Sequence, residues 1–182
     1  MGTAATGMRE RNAAVIEAEL AWFQHLLETR LRLYFQHEEE GLDFDVEPPR
    51  LGDGETSYAR LVEAAGLGTE ERLILILAAI PSLRPQALDT LLLVNKQIDR
   101  AYTEFGNLAG PGAGVLPSWQ MALFLLAADE MPRRLASLDL FDAAAPLRAH
   151  RLLRGPRGED RPAAIPLRLR RGALARLMGG EG

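Results

Sequence analysis

Residues 69–92, TEERLILILAAIPSLRPQALDTLL, decide the reading of this chain. Eight consecutive apolar residues, 73–80, follow Thr69, Glu70 and Glu71, and Pro81 and Pro85 punctuate what comes after. Periodicity alone permits a buried strand here. A threonine placed as an N-cap, two carboxylates in the first turn, two alanines and a closing proline favour a helix instead. A second helical segment opens at 82–85 and carries Leu88, Leu91 and Leu92 on one face. Helix, proline-containing turn, helix is the outline of a helix-turn-helix. Residues 103–129, TEFGNLAGPGAGVLPSWQMALFLLAAD, supply a second apolar block. There, 101–105 read as a short strand and 106–114, with four glycines and a proline, as a loop or wing. Pro117 and Ser118 open a helix through Trp119, Leu123, Phe124 and Leu126. Both blocks describe helices buried on most sides, with little chemistry inside.

Working outward, Ile16, Leu20, Phe23, Leu27, Leu31 and Tyr34 recur at steps of four and three, and Val15, Trp22, Leu26 and Leu33 widen the stripe. The spacing predicts an amphipathic helix of about six turns, with Glu28 and Arg32 as an i,i+4 pair. Its apolar face is wide enough for a helix at the centre of the fold or shared between protomers. The acidic run 38–47 sets Glu38, Glu39, Glu40, Asp43, Asp45 and Glu47 within ten residues and reads as a solvated connection. As a metal loop, Asp43-x-Asp45 lacks the glycine and terminal glutamate that calcium binding requires. A short helix over 57–65 stops at Gly66, another spans 132–138, and Asp129 and Glu130 stand where that helix begins. Residues 150–153 and 164–169 read as a hairpin around the turn-rich GPRGEDRP, and Leu174 and Leu177 lie on a last short helix. The expected architecture is mainly α with a small β-hairpin. It divides into a flexible N-terminus (1–12), a long helix with its acidic connection (13–50) and a winged-helix-like domain (51–182).

Composition excludes several function classes. The 182 residues are 47% apolar and 25% charged, with no cysteine, so disulfides, thiolate metal sites and cysteine nucleophiles are out. With no apolar h-region near the N-terminus and no apolar run long enough to span a bilayer, the expected compartment is the cytoplasm. Lys96, the single lysine, has neither the glycines before it nor the hydroxyl after it that a phosphate-binding P-loop requires. His25, His37 and His150 share no ligand spacing, and no serine sits in a nucleophile-elbow context. No catalytic, cofactor-binding or metal-ligating set emerges, so the chain reads as non-enzymatic. Net charge is −4 but uneven: residues 1–147 hold 12 basic and 22 acidic residues, whereas 148–178 hold nine arginines against Glu159 and Asp160. A basic end of that kind suits the acidic face of the same or a neighbouring molecule, or nucleic acid. Against DNA, the second helix of the helix-turn-helix outline is leucine-rich where a recognition helix would be polar. Candidate partner-binding residues are Trp22, Arg84, Phe105, Trp119, Arg148, Arg151 and Arg154.

The ordered series ERLILILAAIPSLRPQALDTLL, YTEFGNLAGPGAGVLPSWQMALFLLAADE, LDLFDAAAPLRAHRLLR and AIPLRLRRGALARLMGGE resembles the N-terminal region of a bacterial AAA-type ATPase family associated with contractile, phage-tail-like injection systems. The resemblance runs from about residue 13 onward and is most specific over 70–147. It implies a variant winged-helix domain preceding an ATPase module, with no cofactor of its own. Its partners would be a client protein, its own ATPase module or another protomer. The family's nucleotide-binding lysine, magnesium-binding acid and arginine finger have no counterpart here, and Arg170-Arg171-Gly172 stands where a Ser/Asp-type helix start is expected. The expected function is therefore an adaptor or assembly domain. A DNA-binding regulator using the arginines of 148–176 is the alternative, and an enzyme using the acidic 38–47 segment with Arg84 is a third.

Overall fold

The computed structural model describes residues 2–36, 47–52, 54–109, 114–156 and 165–180. Helix α1 (Gly2–Gln36) is about 52 Å long at 1.5 Å per residue. It starts well before the apolar stripe, so residues 2–12, expected to be flexible, are helical. Asn12 helps explain why. Its Nδ2 donates to the Leu177 carbonyl at 3.0 Å and its Oδ1 accepts the Tyr58 N–H at 2.8 Å, tying this part of the helix to two others. Ile16, Leu20, Trp22, Phe23, Leu26 and Leu27 are buried, as the stripe predicts, in one hydrophobic core.

Helix α2 (Ser57–Ala64) is capped by the Thr56 hydroxyl, which accepts the Ala59 N–H at 3.2 Å. Helix α3 (Thr69–Leu83) carries the apolar run, and Arg72 through Ile80 are all buried. Gly68 rather than Thr69 is its N-cap, and the Glu71 carboxylate accepts the Gly68 N–H at 3.0 Å. The helix also passes through Pro81, because a proline in the last turn forfeits only one i→i−4 bond and Arg84 N–H still reaches the Ile80 carbonyl. Residues Pro85–Leu92 wind as a 3₁₀ helix where an α-helix was expected; Leu88 and Leu91 are buried, while Leu92 is exposed. Strands β1 (Val94–Asn95) and β2 (Arg100–Ala101) pair antiparallel, with Val94 opposite Ala101.

The strand expected over 101–105 ends at Ala101. Thr103–Phe105 form a 3₁₀ turn, because Tyr102 and Phe105 both pack into an aromatic cluster with Tyr34 and Phe35, which an alternating strand would split across two faces. Strands β3 (Leu108–Ala109) and β4 (Val115–Leu116) form a second hairpin, whose residues 110–113 lie outside the described set. Helix α4 (Trp119–Ala127) is capped by Ser118, whose Oγ accepts the Met121 N–H and donates to the Gly106 carbonyl at 2.6 Å. Helices α5 (Met131–Leu138) and α6 (Pro146–Ala149) follow, and α7 (Ala173–Met178) packs on α1 and α2.

The hairpin expected from 150–153 and 164–169 takes an irregular form. Arg154 N–H reaches the Arg168 carbonyl at 2.9 Å and Arg170 N–H the Leu152 carbonyl at 2.8 Å, with Leu153 opposite Leu169. The other edge of the same segment pairs with the α4 entrance, through Trp119 N–H to Ile165 and Leu167 N–H to Pro117. Ile165 and Leu167 therefore face the core, while Arg168 and Arg170 alternate outward. The fold is mainly helical, with short antiparallel pairings and a long N-terminal helix. No single helix among the described residues is long and apolar enough to cross a membrane; α3 and the 3₁₀ helix after it have the composition together but bend by 103°.

Candidate functional site

The seven residues singled out by sequence divide sharply. Trp22 is buried on α1 with the Arg72 guanidinium 5.9 Å from its ring centre. Phe105 is 0% exposed within the aromatic cluster and presents no surface. Trp119 stacks on Phe141 with ring centres 4.3 Å apart and an interplanar angle of 17°. Arg84 is engaged by Glu17 of α1, both of whose carboxylate oxygens accept from its guanidinium. Trp22, Phe105 and Trp119 pack into the interior, whereas the Arg84–Glu17 pair links the end of α3 to α1 at the surface. The acidic 38–47 segment lies almost wholly outside the described residues.

Arg148, Arg151 and Arg154 are brought together, and Arg170, Arg171 and Arg176 join them around one concavity of about 840 Å³. The pairing of 152–154 with 168–170 is what closes it. It sets two arginine-bearing segments side by side, with Leu152, Leu153 and Leu167 anchored in the core beneath. Arg148 is held from behind, its guanidinium donating to the Phe141 carbonyl at 2.9 Å, and Arg176 donates to the His150 carbonyl at 3.3 Å. Among the described residues no carboxylate lines the pocket. The three ion pairs among the described residues all lie elsewhere.

Sequence reasoning missed a buried charge system. Glu19 of α1 is 0% exposed, and its carboxylate is gripped by Arg72 of α3 and accepts the Tyr58 hydroxyl at 2.9 Å. Arg72 also donates to the Pro49 carbonyl at 2.8 Å, pinning the chain as it re-enters the described region. Burial pushes the Glu19 carboxyl above its ordinary value, against the opposing pull of Arg72, and burial beside Glu19 pushes the Tyr58 phenol well up. Arg30 is buried as well, donating through Nε and Nη2 to the Leu125 carbonyl at 3.1 and 2.9 Å; burial, then the charge of Arg133, lowers its pKa to about 10. Leu125 lies in the last turn of α4, where carbonyls lack helical donors. Arg30→Met is expected to cost about 1–3 kcal/mol by stripping that carbonyl of its side-chain donor, measured by urea unfolding.

The described surface carries two apolar features of note, the pair Met131 and Leu135 one turn apart on α5 and four aliphatic residues from the end of the 3₁₀ helix into the hairpin after it. Leu92, Leu93, Val94 and Ile98, around the β1–β2 turn, are 47%, 46%, 49% and 62% exposed. Among the described residues no group of His, Asp and Glu side chains stands close enough to hold a metal ion. Compared with family models, curated proteins and solved structures, the chain matches none of them.

Proposed function

We propose that this chain is a non-catalytic adaptor and assembly domain, the variant winged-helix N-terminal region of an AAA-type ATPase serving a contractile injection system, as its sequence resemblance implies. The observation that carries the protein-binding part of this reading is the apolar turn at Leu92, Leu93, Val94 and Ile98. Four aliphatic side chains at roughly half exposure within seven residues, two at the end of the 3₁₀ helix and two in the hairpin after it, are the kind of exposure that marks a contact surface. The solid interior behind it supplies shape rather than reactivity.

The test is direct. Light scattering reads self-association of the purified chain, and pull-down reads capture by structural proteins of a contractile injection apparatus. The paired substitutions Leu93→Asp and Ile98→Asp should abolish the association while leaving the melting temperature within a degree or two, since exposed changes shift stability by about 0.5 kcal/mol or less. A strictly monomeric chain that captures none of those proteins sinks the reading. A DNA-binding regulator is the second reading, and the arginines around the 840 Å³ concavity are the observation that favours it. It predicts duplex binding that weakens steeply with salt.

A further inference from the structure

We propose that the concavity formed by Arg148, Arg151, Arg154, Arg170, Arg171 and Arg176 is a binding site for a compact polyphosphate, either inorganic or as the phosphate tail of a nucleotide. Six arginines line a concavity of about 840 Å³, with no carboxylate among the described residues of the lining. Like charges gathered around one concavity repel, and an anion offsets that repulsion. Guanidinium forks match phosphate oxygens two at a time, where an ammonium offers only a point charge. Pocket lining and ligand chemistry agree in using arginine alone.

Two local features point to a site built for a ligand. Arg151 sits at φ 56° just past the C-terminus of α6, a left-handed position where glycine is the comfortable residue and an L side chain is strained. An arginine kept where strain disfavours any side chain is the kind of departure found at binding sites. Gly155 forms the second feature. A Cβ there would lie 2.5 Å from Nη2 of Arg148, so the absence of a side chain leaves room for that guanidinium to lie against the backbone, where the Phe141 carbonyl fixes it.

The lining also narrows the ligand. It contains arginine, glycine, proline and alanine, and no aromatic ring on which a base could stack. The phosphates are therefore what the site reads. A local, open concavity suits a compact anion better than the extended backbone of a duplex, which needs a strip of charge along a surface.

Isothermal titration of the full chain with inorganic triphosphate, ATP, orthophosphate, a 20-base-pair duplex and a glutamate-rich peptide tests the assignment. Saturable binding of triphosphate is expected, with ATP similar because the base is unread, and orthophosphate weaker. Comparable triphosphate and ATP affinities support the site, while preference between them identifies which source of the phosphates it favours. Arg151→Gly is expected to weaken triphosphate binding about tenfold or more by loss of a charged donor, while raising the melting temperature through relief of the left-handed strain. Gly155→Ala displaces only the Arg148 tip and should also weaken binding with the fold intact. Arg32→Gln, on the exposed face of α1, should change nothing. Absence of saturable triphosphate binding, indifference to both pocket substitutions, or tighter binding of the duplex or the acidic peptide than of triphosphate overturns the proposal.

Discussion

Replacing Arg72 with methionine is expected to lower the unfolding free energy by about 3–5 kcal/mol at pH 7, among the largest single effects in this protein. Methionine keeps most of the volume beside Trp22 but leaves Glu19, which is 0% exposed, with the Tyr58 hydroxyl as its remaining partner. The Pro49 carbonyl loses its donor in the same step. The loss should depend on pH with a definite sign. Burial already holds the Glu19 carboxyl above its ordinary 4.5, and Arg72 is the main force opposing that rise, so removing Arg72 moves the folded value further up. A carboxyl whose folded pKa is raised contributes full stability below its unfolded pKa and loses it as pH rises through the folded value. The deficit of Arg72→Met should therefore be smallest near pH 4.5 and grow towards pH 7, followed by urea unfolding across that range. Adding Glu19→Gln should recover most of the loss, since the amide oxygen still accepts from Tyr58 and no charge remains stranded. Equal deficits at pH 5 and pH 7, or no recovery in the double variant, would sink this account.

The same residues mark where sequence reading stops. On α1 the buried face runs Asn12, Ile16, Glu19, Phe23, Leu26 and Arg30, an unbroken helical row at steps of three and four. Read for apolar positions, that row yields its hydrophobic members, and the helix was legible from them. Its polar members fall in the same register but carry no local signature, because their partners lie 39 to 165 residues away in sequence. A charged residue at a core position of an otherwise clean stripe is the available signal; it announces a buried partner without naming one. Short elements failed for a related reason. Over 85–92 and 101–105 a handful of residues carries too little intrinsic preference to resist tertiary packing, so Leu88 and Leu91 settled into a 3₁₀ helix and Phe105 into a turn.

The arginine pocket was half legible. Arg148, Arg151 and Arg154 recur at steps of three, and the excess positive charge over 148–178 is plain in the composition. Nothing local says that Arg170, Arg171 and Arg176 line the same concavity. That follows from the Leu153–Leu169 pairing, itself driven by burying Leu152, Leu153, Ile165 and Leu167. Hydrophobic register thus decides which cations meet. The aromatic candidates misled because size and rarity mark a residue as important without saying whether it faces in or out; Trp22, Phe105 and Trp119 face in.

Gly106→Ala is expected to cost about 2–5 kcal/mol, from two terms that a control can separate. Gly106 sits at φ 59°, and placing an L residue in that left-handed region costs about 1–2 kcal/mol. A Cβ there would also lie 2.5 Å from Ser118 Oγ, 2.7 Å from the Gln120 Cβ and 2.7 Å from the Met121 backbone nitrogen. Two of those atoms belong to the first turn of α4, which is fixed by the packing of Met121 and Phe124 and cannot retreat cheaply. Crowding of this kind adds about 1–3 kcal/mol. The same shift would break the Ser118 hydroxyl bond to the Gly106 carbonyl, loosening the cap of the helix and the turn that seats Phe105. Gly66 provides the control, with φ 60° and nothing within 4 Å of its Cβ position. Gly66→Ala should show the conformational cost alone, so urea unfolding of the two variants isolates the contact. Equal destabilisation at both positions would mean that α4 yields readily, and that the close approach of Gly106 to its first turn does not hold the helix in place.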